Sequence, residues 1–168
     1  MKEYISVLDG SVLSGDLPEK VVHALTDKKL TISAAESCTG GMFAKMVTDI
    51  PGSAVVIMES YVTYANVAKT KILGVKKETL DEFGAVSEQT VKEMAQGLFK
   101  VSGADVCVAF SGIAGPGGGT KEKPVGLVYT AVCFGGETSV YKLQLSGERD
   151  DVRTKACLEI FNVINKMI

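Results

Sequence analysis

Ser33-Ala34-Ala35-Glu36-Ser37-Cys38-Thr39-Gly40-Gly41 is the stretch on which the fold of this chain turns. Thr31-Ile32 enters it as a short buried strand, and Met42-Phe43-Ala44-Lys45-Met46-Val47 leaves it with the apolar period of a helix. Ser37 therefore falls on a strand-to-helix turn, where unpaired backbone N–H groups and the positive end of a helix converge. Two jobs suit such a turn. It can cradle an anion, or it can present a serine beside donors that hold an oxyanion.

Working outward, residues 31–35 read as a strand and 40–49 as a helix stopped by Pro51-Gly52. Upstream, Leu17-Pro18 opens a helix with Val21, Val22 and Leu25 on one face. Residues 1–17 read as a poorly patterned lead-in, and 18–168 as one domain. Downstream, 54–64 is rich in Val, Ile and Tyr, as a second strand would be. Asn66 is positioned to cap a helix ended by Gly74, and a short helix or turn follows over 77–83. Ser87 caps an amphipathic helix with Val91, Met94, Ala95, Leu98 and Phe99 as its stripe. The apolar run 105–110 reads as a strand covered on both faces. Residues 125–134 and 139–145 form a strand pair around Gly135-Gly136, and a last helix spans about 148–166. Helices alternating with strands, then two adjacent strands, predict an α/β fold: a three-layer α/β/α sandwich on a mixed, mostly parallel sheet.

Composition narrows the function classes. Eighteen basic and twenty acidic side chains leave a net charge of −2, which points to neither a nucleic-acid nor a membrane surface. Cys38, Cys107, Cys133 and Cys157 form no C-x-x-C pair and His23 is the only histidine, so no metal site is expected. Without a charged leader and apolar core at the start, the expected location is cytoplasmic and reducing. The single histidine also removes a Ser-His-Asp triad, because it lies in the first helix. Nor does a histidine stand ready to make a Cys38 thiolate, which disfavours the thiol as nucleophile.

A lysine offers the missing base. In Tyr64-Ala65-Asn66-Val67-Ala68-Lys69, an Asn66 cap places Lys69 in a first helical turn, facing the positive helix end. That position and burial both disfavour the ammonium and leave a neutral amine usable near neutral pH. A solvated lysine on an amphipathic helix would read the same way in sequence. The third constellation, Ser111-Gly112-Ile113-Ala114-Gly115-Pro116-Gly117-Gly118-Gly119, follows a buried strand, where α/β sheets bind ligands. Its glycines permit close backbone approach. Arg149 stands where the final helix begins, an unfavourable place for a cation unless an anion is near.

Six ordered motifs add a resemblance. They are Ala35-Glu36-Ser37-Cys38-Thr39-Gly40-Gly41, Asp49-Ile50-Pro51-Gly52-Ser53, Tyr64-Ala65-Asn66 with Lys69, Gly84-Ala85-Val86-Ser87, Ser111-Gly112-Ile113-Ala114-Gly115-Pro116 and Lys123-Pro124-Val125-Gly126. Together they resemble the CinA C-terminal family, the nicotinamide-nucleotide amidohydrolases or NMN deamidases, over about residues 18–166. The resemblance implies hydrolysis of the carboxamide of nicotinamide mononucleotide to nicotinate mononucleotide and ammonia, without metal or cofactor, in pyridine-nucleotide salvage. It implies Ser37 as nucleophile, with Tyr64, Lys69, Ser111 and Arg149 matching further family positions. It also implies a homodimer or larger assembly, with a small nucleotide as the partner. Many such proteins carry an added N-terminal pyrophosphatase domain, for which 168 residues leave no room.

On this reading Lys69 takes the Ser37 proton, and backbone N–H groups around Cys38, Thr39, Gly40 and Gly41 hold the oxyanion. Lys69 or Tyr64 returns the proton to ammonia, while Ser111, Gly112, Gly115, Gly117, Gly118 and Arg149 hold phosphate or ribose. The rival is a non-catalytic nucleotide- or phosphate-binding module in which the Ser37 turn is the cradle.

Overall fold

A computed structural model describes residues 4–168. In chain order the elements are β1 (Tyr4–Ile5), β2 (Val12–Leu13), α1 (Leu17–Lys28), β3 (Ile32–Glu36) and α2 (Met42–Thr48). A 3-10 turn (Ser53–Val55) leads into β4 (Ile57–Val62), α3 (Asn66–Leu73), α4 (Lys77–Phe83) and α5 (Glu88–Ser102). Then come β5 (Val106–Gly112), β6 (Leu127–Phe134), β7 (Glu137–Gln144) and α6 (Arg149–Met167).

The main sheet has the order β4-β3-β5-β6-β7. β3 pairs in parallel with both β4 and β5, whereas β6 is antiparallel to β5 and to β7. The sheet is thus mixed: every strand but β6 points the same way. Period-two alternation divides β5 between two cores. Val106, Val108 and Phe110 face α1, α2 and α6, while Cys107 and Ala109 face the layer of α3, α4 and α5. That is the three-layer sandwich. Phe43 of α2 stacks on Phe161 of α6 at 4.3 Å and leans on Phe110 of β5 at 5.3 Å. This aromatic cluster pins α2, and so the turn that precedes it, between sheet and α6.

Chain order makes β3 the pivot. After β3 the chain crosses through α2 to β4 on one side, then through α3, α4 and α5 to β5 on the other. The carboxyl ends of three parallel strands converge there, the position at which open α/β sheets hold ligands.

One sequence expectation changes. Asn66 does not cap α3; Ala65 occupies that position and Asn66 is the first helical residue, so Lys69 lies one residue deeper than expected. Residues 1–3 of the lead-in lie outside the described residues; within the rest, β1 and β2 form a hairpin on α6. Ser6 Oγ donates to the Glu159 carboxylate at 2.7 Å, the Val7 amide does so at 2.6 Å, and Asn162 Nδ2 donates to Ser11 Oγ at 3.1 Å. Polar clasps and strands of two residues leave no apolar period to read.

α3 and α5 touch closely where Gly97 meets the end of α3. A Cβ on Gly97 would lie 1.8 Å from the Leu73 carbonyl oxygen. Gly97→Ala is expected to lower stability: overpacking of roughly 1–3 kcal/mol exceeds the ~0.5–1 kcal/mol that alanine gains in a helix. A urea midpoint equal to or above wild type would contradict this.

Candidate functional site

Ser37 leaves β3 held on both flanks. Its amide donates to the Phe110 carbonyl of β5 at 3.1 Å, and the Thr63 amide donates to the Glu36 carbonyl at 2.8 Å. These bonds continue the sheet ladder by one step and fix the serine at the strand end. Lys69 reaches it from α3. The lysine is 0% exposed, and its Nζ lies 3.1 Å from Ser37 Oγ, 2.8 Å from the Thr63 carbonyl and 3.2 Å from the Tyr64 carbonyl.

None of those partners is a carboxylate. An ammonium out of water without a counter-ion is strongly disfavoured, and burial accordingly pushes the Lys69 pKa below that of an ordinary lysine. The neutral amine fits the same geometry: it donates to the two carbonyls and offers its lone pair to the Ser37 hydroxyl. Cys38, the next residue, is the opposite case. Its side chain is buried and burial pushes the thiol up to about 12, so it stays protonated.

The end of α2 that could have cradled an anion is already filled. Glu36, wholly buried, accepts from the Gly41 amide at 2.9 Å, the Phe43 amide at 3.2 Å and the Ala44 amide at 2.9 Å. A carboxylate from the preceding strand thus caps the helix and meets its positive end. Gly40 donates to the Ser37 carbonyl at 3.1 Å. The four amides expected to serve an oxyanion therefore divide: those of Gly40 and Gly41 are engaged, whereas those of Cys38 and Thr39 have no carbonyl or side-chain oxygen partner among the described residues.

Beside the turn lies a cavity of about 210 Å³ lined by Cys38, Tyr64, Gly112, Ile113, Ala114, Gly115, Gly117, Gly118 and Arg149. Arg149 Nη1 donates to the Gly115 carbonyl at 2.8 Å, and Nη2 reaches the Tyr64 hydroxyl at 3.4 Å. The arginine therefore bridges strand end, glycine loop and helix start. The α6 N-terminus itself carries acids: Glu148 and Asp151 form its capping box. Gly112 belongs to β5, where a Cβ would press to 2.7 Å on the Leu127 carbonyl. Tyr64 is 60% exposed, with its side chain at the mouth.

Ser111 departs from expectation. Its hydroxyl is buried and donates to the Ala85 carbonyl at 2.6 Å, and it does not line the cavity. It ties β5 to the Gly84–Ser87 segment rather than facing a ligand. Sequence reasoning also passed over Glu36 and Arg153. The first was legible in hindsight as an acid ahead of a helix start; the second is distant in sequence and carries no local signal. Among the described residues, no group of three or more His, Cys, Asp or Glu is placed to hold a metal ion, and no helix is long and apolar enough to cross a membrane.

The family described as CinA C-terminal domain matches residues 15–168. A Kosmotoga olearia protein named CinA-like is 49% identical over 152 residues, which cover 90% of this chain and 37% of its own. A Clostridium perfringens protein named for competence-damage induction is 51% identical over 150 residues, covering 89% of this chain and 36% of its own. The chain thus spans little more than a third of the length of these curated relatives. Among solved structures, the competence/damage inducible protein CihA of Agrobacterium tumefaciens superposes with a TM-score of 0.85 at 42% identity, over 90% of this chain and 94% of that one. A competence or damage-inducible protein of Enterobacter asburiae gives 0.87 at 38% identity, over 91% and 96%.

Proposed function

Because the chain belongs to the CinA C-terminal domain family, we propose that it hydrolyses the carboxamide of nicotinamide mononucleotide with a Ser37–Lys69 pair. The observation that carries this reading is the buried Lys69 amine, 3.1 Å from Ser37 Oγ and without a carboxylate partner. A binding module needs no such group. The Glu36 carboxylate on the α2 amides also weighs against the phosphate-cradle rival, since it stands where the phosphate would.

In the proposed reaction neutral Lys69 accepts the Ser37 proton as Oγ bonds to the carboxamide carbon. The carbonyl oxygen becomes an oxyanion, and the Cys38 and Thr39 amides are the donors free to meet it. Lys69 passes its proton to the departing nitrogen, the C–N bond breaks and ammonia leaves a Ser37 ester. Water then attacks the ester carbon, giving its proton to Lys69, which returns it to Ser37 Oγ as nicotinate mononucleotide departs. Tyr64, held by Arg149 at the mouth, is a second route for the proton to ammonia. The fold is expected to work in the cytoplasm, as a homo-oligomer and without a cofactor.

Ammonia release from nicotinamide mononucleotide, followed by coupled reduction of a keto acid, tests the reading. One ammonia per nicotinate mononucleotide is expected. No ammonia from a folded protein that still binds the nucleotide would favour the binding module.

Arg149 is exposed, so its part is judged by substrate comparison rather than by burial. Arg149→Ala is expected to raise KM for the mononucleotide roughly tenfold to a hundredfold, the worth of a hydrogen bond to a charged group. The phosphate-free nucleoside should change far less. Equal effects on both would assign Arg149 to the Gly115 loop alone.

A further inference from the structure

Arg153 lies one helical turn beyond Arg149 on α6, and its guanidinium makes a single kind of contact. Nε donates to the Thr39 carbonyl at 3.0 Å and Nη2 donates to the same oxygen. Nη2 also lies 3.1 Å from where a Cβ on Gly40 would stand, so the guanidinium roofs the turn. Arg153 is half-buried and, among the described residues, has no carboxylate within ion-pair distance. A half-buried cation spent on one backbone carbonyl gains little for the fold that a shorter side chain could not supply.

What it fixes is a peptide plane. The peptide unit is rigid, so an anchored carbonyl sets the N–H on its far side. The Thr39 oxygen also accepts from the Met42 amide at 3.2 Å, and together the two grips set the direction of the Gly40 N–H, which donates to the Ser37 carbonyl at 3.1 Å. That bond fixes the Ser37–Cys38 plane, and with it the Cys38 N–H. Gly40 at φ +61° and Gly41 at φ +95° give the turn the left-handed backbone this path requires. On the opposite side Glu36 holds the Gly41 amide. The turn is therefore gripped by an acid from β3 and a base from α6, with the two open amides between.

From this geometry we infer that Arg153 is a positioning residue, which aims the Cys38 amide at the developing oxyanion through its grip on the Thr39 carbonyl. The inference rests on the amidase reading of the site. It separates Arg153 from Arg149: the first acts on the transition state, the second on the nucleotide.

Steady-state kinetics of Arg153→Met on nicotinamide mononucleotide tests it, with wild type alongside. Arg153→Met keeps the apolar stem and removes every donor. The expected result is a fall in kcat on the order of 10²-fold, as for a misplaced catalytic group, with KM within about threefold of wild type. The pH at which kcat/KM rises should not move, because Lys69 is untouched. Arg153→Lys restores one donor and should recover part of the lost kcat; it also carries the test if the methionine variant fails to fold. A kcat per folded molecule within about threefold of wild type overturns the inference, as does a KM rise at constant kcat, which would mark a substrate ligand. So does a lysine variant that folds but recovers nothing. Absence of ammonia release from wild type would instead sink the amidase reading itself, so the two failures are distinguishable.

Discussion

Ser37→Ala should remove turnover by at least about 10³-fold while leaving nucleotide affinity and fold nearly intact. The expectation follows from what the side chain does in the structure. Its Oγ contacts Lys69 Nζ, and the turn around it is held by backbone bonds to Phe110 and by Glu36 and Arg153, none of which involves the hydroxyl. Deleting one oxygen therefore takes away the nucleophile and little else. Cys38→Ala is the paired control. A thiol pushed up to about 12 holds almost no thiolate at neutral pH, so its loss should leave most of kcat. Steady-state ammonia release under saturating nucleotide reads kcat of both variants directly. A live Ser37→Ala with a dead Cys38→Ala would transfer the reaction to the thiol and overturn the reading.

The position of Ser37 was legible because the apolar pattern changes period around it, from a strand to a helix, and a turn must lie between. Lys69 was legible in part: the sequence sets it in a first helical turn just after Tyr64, but a solvated lysine would read the same way, and only the fold shows it buried against Ser37. The donors were not legible. Which amides stay open depends on the Glu36 side chain folding forward onto α2, and on Arg153 arriving from a helix 114 residues away in sequence. Both are tertiary facts that propensity and spacing do not contain. Ser111 illustrates the same limit from the other side. A hydroxyl at the head of a glycine loop looks free in sequence, yet the Ala85 carbonyl from the opposite layer claims it. The layers and the mixed sheet, by contrast, follow from element order and from the doubly buried run in β5, which need no knowledge of side-chain partners.

Lys69→Arg is expected to be as inactive as Lys69→Ala, and the reason is protonation rather than shape. Arginine keeps a cation at the position but does not give up its proton in a protein, so it has no lone pair for the Ser37 hydroxyl. It also places a planar fork where three convergent oxygens, Ser37 Oγ and the Thr63 and Tyr64 carbonyls, fit a single nitrogen. The wild-type pH profile carries the complementary expectation. Burial lowers the Lys69 pKa, and only the neutral amine can accept a proton. As pH rises through that lowered pKa the competent fraction grows, so kcat/KM should climb and then level, with the ascending limb at a lower pH than an ordinary lysine would give. Falling pH recharges the amine and switches the reaction off. A solvated lysine would behave otherwise, with both variants active and no limb lost on substitution. Near-normal turnover by a folded Lys69→Arg enzyme would therefore remove the general base from this mechanism, even with Ser37 secure as the nucleophile.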